Sequence, residues 1–436
     1  MGTHSISKYK TELIFIGICF TLYWIWASTI PFNGAPDEQM KWNLINYIFK
    51  TGVYPPGYEP MLIDPDYGRS YAFEPALAYL VEALLVKLWS FFSANADGYY
   101  MAARLFSILL SCGTIFVLFR IGSRLFNKST KWLFVCTIAL LPQYAFLSSY
   151  INCDIFAIFC CSVIIYYCIR AMESRWAWKD CLGLGLGIGL CLLSYYFAYP
   201  LIAASVFFFL STTFIWRRSK QNTIIKNHVA AKAFTITGTA ALIAGWYFVR
   251  NILLYDGDIF TRVASRDLAE IHAAFSMRPS VRMTPQHMQV TIGYMLINMG
   301  WLTNSAKSFL GVFGYMNISF PNWVYGLVSA VLTVFCIAGL RIKKWLAVNI
   351  KWKLFTIALT AALVGNLFLS LYYSYFEDFQ PQGRYLMEGI LIPIFLLFAI
   401  GADHVNDILF KNSKFKVQYV LIGLMALFNV FSYKLI

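Results

Sequence analysis

Polar residues punctuate this chain more than they populate it. Long, almost uncharged runs recur near 11–30, 99–121, 132–150, 155–171, 181–194, 199–215, 233–250, 322–340, 354–373, 385–402 and 417–434. A helix needs about 20 apolar residues to cross a bilayer, and these runs predict eleven membrane spans. The segment 74–92, "EPALAYLVEALLVKLWSFF", is also apolar but carries Glu74, Glu82 and Lys87. Its two acids are eight residues apart, near one face of a helix, which predicts an amphipathic helix lying at the interface.

The connections decide the orientation. If 74–92 does not span, every second connection is basic. These include Lys8 and Lys10, "RIGSRLFNKSTK", Arg170 to Lys179, Arg217 to Lys232, Arg341 to Lys353, and Lys411 to Lys416, and together they hold most of the 35 Lys and Arg. Of the 21 acids only Glu12, Glu173, Asp180, Asp403 and Asp407 fall on that side. Basic connections stay inside, so the N-terminus is expected inside and the C-terminus outside. The first apolar run lacks a small-residue cleavage site and reads as a retained helix. Two outer regions are long, 31–98 and 251–321. Neither is expected to form a core of its own, so residues 1–436 read as a single membrane domain with one elaborated outer face.

Composition agrees with that picture. The chain is 59% hydrophobic, 18% aromatic and 13% charged, with a mean hydropathy of +0.61. A soluble protein carries about 25% charged residues. The net charge of +14 is explained by membrane orientation and does not point to nucleic acid. The ten cysteines form no CxxC pair and mostly sit in apolar runs, as small hydrophobes do.

Candidate chemistry gathers on the outer side. In "PFNGAPDEQMKW", Asp37 and Glu38 follow the first span directly. Adjacent carboxylates repel, which raises one pKa and suits a proton acceptor. The plainer account is a helix start, with Pro36 and the two acids opening a helix through "QMKWNLINYIFK". In "NCDIF", Asp154 heads an apolar helix, where it or Asn152 could be a simple cap. In "RNILLYDGD", Arg250 ends a span, and Asp256 and Asp258 have a spacing that metal sites use but that turns use more often. No metal is expected there. In "FQPQGRYLMEG", Arg384 opens a span, where an unpaired charge costs at least about 2.5 kcal/mol. It requires an anion. Glu388, four residues on, is one candidate partner, and a phosphate is the other. Gln382 and Tyr385 flank it. The tyrosines Tyr195, Tyr196, Tyr199, Tyr372, Tyr373 and Tyr375, with Phe197 and Phe376, lie on the same side. An aromatic belt accounts for most of them, and aromatic faces also bind sugars.

Five segments resemble the GT-C membrane glycosyltransferases, and more narrowly a bacterial multi-spanning family within that superfamily. They are "PDEQMKW", "LPQYAFLSSYINCDIFAI", "RNILLYDGD", "SFLGVFGYMNISFPNWVY" and "QGRYLMEGILIP". They run in order over nearly the whole chain. Cys153, Leu310, Tyr315 and Ile259 depart from the family pattern, which has Pro, Trp, Trp and Pro there. In size the chain is also similar to phage-encoded serotype-converting glucosyltransferases of O-antigen.

The resemblance implies an all-α, GT-C-like bundle acting on the periplasmic face of the bacterial inner membrane. It implies an inverting transferase that moves a sugar, glucose in the narrower match, from an undecaprenyl-phosphate-linked donor to a lipid-linked or surface polysaccharide. Asp37 or Glu38 would be the base. Arg384, with Arg250 or Lys307, would hold the lipid phosphate, and Asp154, Gln382 and Tyr385 would contact substrate. No cofactor and no metal is implied, and no nucleotide motif is present. An O-antigen polymerase or ligase is the first alternative and a lipid-sugar transporter the second. The acidic pair speaks against the former. The scarcity of ionisable groups at span centres speaks against the latter.

Overall fold

A computed structural model describes residues 3–218, 228–340, 349–410 and 415–436. The basic positions Lys220, Lys226, Arg341, Lys343, Lys344, Lys411 and Lys414, used above for orientation, lie outside the described residues. Seventeen α-helices lie among the described residues, with short 3-10 and π turns between some of them. In chain order they are α1 (Thr3–Thr29), α2 (Glu38–Thr51), α3 (Leu77–Ser90), α4 (Tyr99–Leu125), α5 (Lys128–Ala139), α6 (Pro142–Leu147), α7 (Asp154–Ser174), α8 (Trp178–Leu192), α9 (Tyr199–Arg218), α10 (Val229–Leu254), α11 (Arg262–His272), α12 (Ile292–Ile297), α13 (Trp301–Gly311), α14 (Asn322–Gly339), α15 (Ile350–Tyr372), α16 (Met387–Leu409) and α17 (Val417–Tyr433). A two-residue hairpin, β1 (Val312–Phe313) and β2 (Ile318–Ser319), completes them, with Phe313 opposite Ile318.

Eight helical segments among the described residues are long and apolar enough to cross a membrane. They coincide with eight of the eleven predicted runs. The other three runs are helical but shorter. Run 132–150 is broken, because Pro142 opens α6 and leaves Leu141 extended (φ −61°, ψ 124°). Run 181–194 lies mostly in the 15-residue α8, and run 417–434 in the 17-residue α17. The α8 sequence "GLGLGIG" lets backbones approach closely, as small residues do between membrane helices. A Cβ on Gly185 would sit 2.6 Å from the Ile236 carbonyl oxygen of α10.

The segment 74–92 does form a short helix, but not with the polar face that was expected. Glu74 precedes α3, and Glu82 is turned inward and buried. The exposed residues are Lys87 and the apolar Leu84, Leu88, Phe91 and Phe92. Nine of the ten cysteines are buried, and all ten are free.

The two long loops form one face. The Thr261 hydroxyl donates to the Phe73 carbonyl at 2.7 Å, Tyr247 Oη to the same carbonyl at 2.9 Å, and the Gly57 N–H to Tyr255 Oη at 2.8 Å. The turn around 373–386 joins them, with the Gln286 N–H on the Tyr375 carbonyl at 3.2 Å. Beneath it the hairpin packs Phe313 against Trp26 and Phe146 (5.6 and 5.4 Å between ring centroids).

Candidate functional site

The acidic pair separates as soon as α2 begins. Asp37 sits in the left-handed region (φ 63°) and Glu38 starts the helix, so consecutive side chains point in different directions. A non-glycine residue with that backbone is uncommon and is often found at functional sites.

Glu38 points inward to Arg104 of α4. Arg104 Nε donates to Glu38 Oε1 at 2.8 Å and Nη2 to Oε2 at 2.7 Å. The Ile151 N–H adds to Oε1 and the Asn33 N–H to Oε2. Arg104 spends its remaining donors on the carbonyls of Ala27, Ile30 and Pro31, at 2.6, 2.7 and 3.0 Å. Those are carbonyls at and just past the C-terminal end of α1, where a cation is favoured. Both side chains are fully buried. Glu38 is therefore occupied on both oxygens, and its work is to fasten α1, α2 and α4 together. The expectation that two adjacent acids contest one proton does not fit this geometry.

Asp37 instead faces Arg384 across the loop face, Oδ2 to Nη2 3.4 Å, with 36% of its side chain exposed. Burial opposes its ionisation. Lys41 and Arg384, with the Tyr71 hydroxyl, outweigh that and hold the carboxyl below its usual range. Lys41 was not singled out in the sequence. It lies one turn along α2 from Asp37, is buried, and sits 5.3 Å from the Tyr71 ring and 5.9 Å from the Tyr150 ring. Helical i, i+4 spacing from an acid was its only sequence signal.

Arg384 is buried at the head of α16. Its Nη2 donates to Tyr385 Oη at 2.9 Å and its Nη1 to Tyr150 Oη at 3.3 Å. Nε has no partner among the described residues. Glu388 is not its partner, for both Glu388 oxygens are buried without a hydrogen bond among the described residues. The backbone explains why. Residues 383–386 form a tight 3-10 turn before α16 starts, so Arg384 does not share the helical face of Glu388. That turn presses on α13. A Cβ on Gly383 would lie 2.2 Å from the Phe309 nitrogen, and the Gly383 N–H donates to Ser308 Oγ at 2.6 Å. Asn366 of α15 pins it from the other side, through the carbonyls of Tyr385 (2.9 Å) and Phe197 (3.0 Å).

Asp154 is buried at the first position of α7, and its Oδ1 has no hydrogen-bond partner among the described residues. The N-cap position is Cys153, and Asn152 just before it accepts the Ile155 N–H at 3.0 Å. Gln382 is buried and bonds to Gln380. Tyr385 stacks on Phe197 at 5.0 Å and 24°.

Two expected cations lie elsewhere. Arg250 lies over the Tyr54 ring at 4.7 Å and donates to the Pro55 carbonyl at 2.6 Å, anchoring the first loop to α10. Lys307 bonds to Asn322 at 2.8 Å, tying α13 to α14. Neither is brought to Arg384 by a described contact. Asp256 and Gly257 form a turn (φ 49° and 89°), and Asp258 accepts the Ala264 N–H in the first turn of α11 at 3.0 Å.

The assembled site is thus Asp37, Lys41, Arg384, Tyr71, Tyr150 and Tyr385, with Asp154 beside them. Residues 67–398 match the family described as "Predicted membrane protein (DUF2142)". The chain belongs to the DUF2142 family. No curated protein matches its sequence significantly. The fold of this DUF2142 protein is similar to the apo crystal structure of the Archaeoglobus fulgidus oligosaccharyltransferase, with a TM-score of 0.58 and 13% identity over 97% of this chain and 55% of that one. The same enzyme in complex with Zn and sulfate gives 0.51 and 14%, over 96% and 52%. ArnT from Cupriavidus metallidurans, apo, gives 0.39 and 12%, over 92% and 78%. The DUF2142 chain spans about half the length of the oligosaccharyltransferase. The expected GT-C-like helical bundle is the fold observed.

Proposed function

We propose that this protein transfers a sugar from a polyprenyl-phosphate donor to a glycan acceptor, with inversion, at the loop face of the membrane. The observation that carries the reading is the placement of Asp37 and Arg384. A partly exposed carboxylate and a buried guanidinium face each other at a long distance, next to the head of a membrane helix. The oligosaccharyltransferase likeness in fold supports it.

Asp37 would take the proton from an acceptor hydroxyl. The freed oxygen would attack the anomeric carbon as its bond to the phosphate oxygen breaks. The lipid phosphate would leave as an anion toward Arg384 and Lys41. The two roles are linked. A phosphate that engages Arg384 neutralises a cation that depresses the Asp37 pKa, so donor binding makes Asp37 a better base. In this reading Glu38, Arg250 and Lys307 are structural, while Asp154, Gln382 and Tyr385 line the sugar site. The finer assignment is undecaprenyl phosphate as carrier, glucose as the sugar, and O-antigen or a similar surface polysaccharide as acceptor, on the periplasmic face of a bacterial inner membrane. It rests on the sequence resemblance.

The test is transfer by purified protein in lipid nanodiscs, with polyprenyl-phosphate glucose and a lipid-linked glycan, read by mass spectrometry. A mass gain of one hexose, absent with Asp37→Asn, is expected. Chain extension by whole repeats would instead make the protein a polymerase, and no covalent change at all would sink the transferase reading.

A further inference from the structure

Tyr385, whose hydroxyl Arg384 contacts, begins a row of rings. Phe197 stacks on Tyr385, and Tyr196 stacks on Phe197 at 4.5 Å and 29°. Tyr373 borders the row, 6.1 Å from Phe197 and 6.4 Å from Tyr385. At its far end stand two more arginines, from different loops. Arg262, at the start of α11, lies with its guanidinium carbon 3.9 Å over the Tyr196 ring. Arg69, from the first loop, donates through Nη1 to Tyr373 Oη at 3.1 Å.

Arg69 makes no ion pair among the described residues, and Arg262, about half exposed, makes one long pair. Arg69 is partly buried, and the only side-chain hydrogen-bond acceptor described for it is a neutral phenol. Asp378 pairs with Arg282 at 3.4 Å, and Glu74 reaches Arg262 only at 3.7 Å. A part-buried guanidinium such as Arg69, with no ion pair among the described residues, is costly to keep, and its planar fork fits an oxyanion.

We infer that Arg69 and Arg262 form a second oxyanion subsite, across the aromatic row from Arg384, so that the acceptor is a glycan carrying a phosphate or a carboxylate. This rests on the transferase reading for its role, although the anion site itself does not.

The experiment measures binding to the full chain in nanodiscs by saturation-transfer NMR. Farnesyl phosphate first saturates the Arg384 site. Glucose 1-phosphate, glucuronate and neutral glucose are then titrated. At least one oxyanion probe should bind more tightly than glucose, and which one does distinguishes a phosphate-bearing from a carboxylate-bearing acceptor. The double variant Arg69→Gln/Arg262→Gln should weaken that probe by at least about tenfold. Arg69→Lys/Arg262→Lys should be intermediate, and farnesyl phosphate should bind both variants as it binds wild type. Oxyanions no tighter than glucose, or unchanged by the double variant, would overturn the inference. Failure of farnesyl phosphate to bind wild type would count against the transferase reading alone.

Discussion

Arg384 and Asp37 are 347 residues apart and face each other at 3.4 Å, while Asp37 and its neighbour Glu38 serve different ends. Asp37→Asn is expected to lower turnover by about 10² to 10⁴, with a smaller loss of stability than Glu38→Gln. Glu38→Gln is expected to act on stability, because it leaves Arg104 buried without its counter-charge. Breaking such a pair costs about 3 to 5 kcal/mol. Thermal unfolding in detergent, alongside the transfer assay, separates the two. Equal melting temperatures for both variants would contradict the division of labour.

Arg384→Ala should cost on the order of 2 to 4 kcal/mol in transition-state stabilisation, and Arg384→Lys less. Because Glu388 makes no hydrogen bond or ion pair with Arg384 among the described residues, the Arg384→Ala/Glu388→Gln double variant should recover little of the loss. A double-mutant cycle on kcat/KM checks this, and substantial recovery would restore Glu388 as the partner.

Asp37 also predicts a pH dependence. Its folded pKa lies below the ordinary 3.8, so the unfolded chain binds more protons there than the folded one. The stability it contributes is present above the unfolded pKa and is lost as pH falls through the folded value. Asp37→Asn should therefore be less stable than wild type at neutral pH, with the gap closing below about pH 4. Denaturant melts between pH 3 and 7 measure it, and a gap that widens in acid would reverse the assignment.

Topology is open to a direct test. A reporter after Leu62 should lie on the side opposite to one after Asn127, since α4 intervenes. Equal signals would require α3 to span after all, and its 14 residues rise only about 21 Å.

The segmental character of the chain follows from the sequence alone. Apolar runs of bilayer length cannot avoid forming helices where water is absent, because each backbone group must be satisfied within its own segment. That is why α1, α4, α7, α9, α10, α14, α15 and α16 were legible, and why "PDE", "NCD" and "QGRY" could be placed at helix heads. Which charge meets which was not legible. Adjacent in sequence, Asp37 and Glu38 looked like one feature, until Arg104, 66 residues away, claimed Glu38 through its bidentate fork. Spacing of four suggested Arg384 with Glu388, until a 3-10 turn rotated Arg384 toward Asp37. Asn366 and Arg69 carried no motif at all, and Lys41 only its spacing from Asp37 within "PDEQMKW". Local hydrogen bonding fixes helices, whereas the partner of a buried charge is settled by long-range packing, which the order of residues does not reveal.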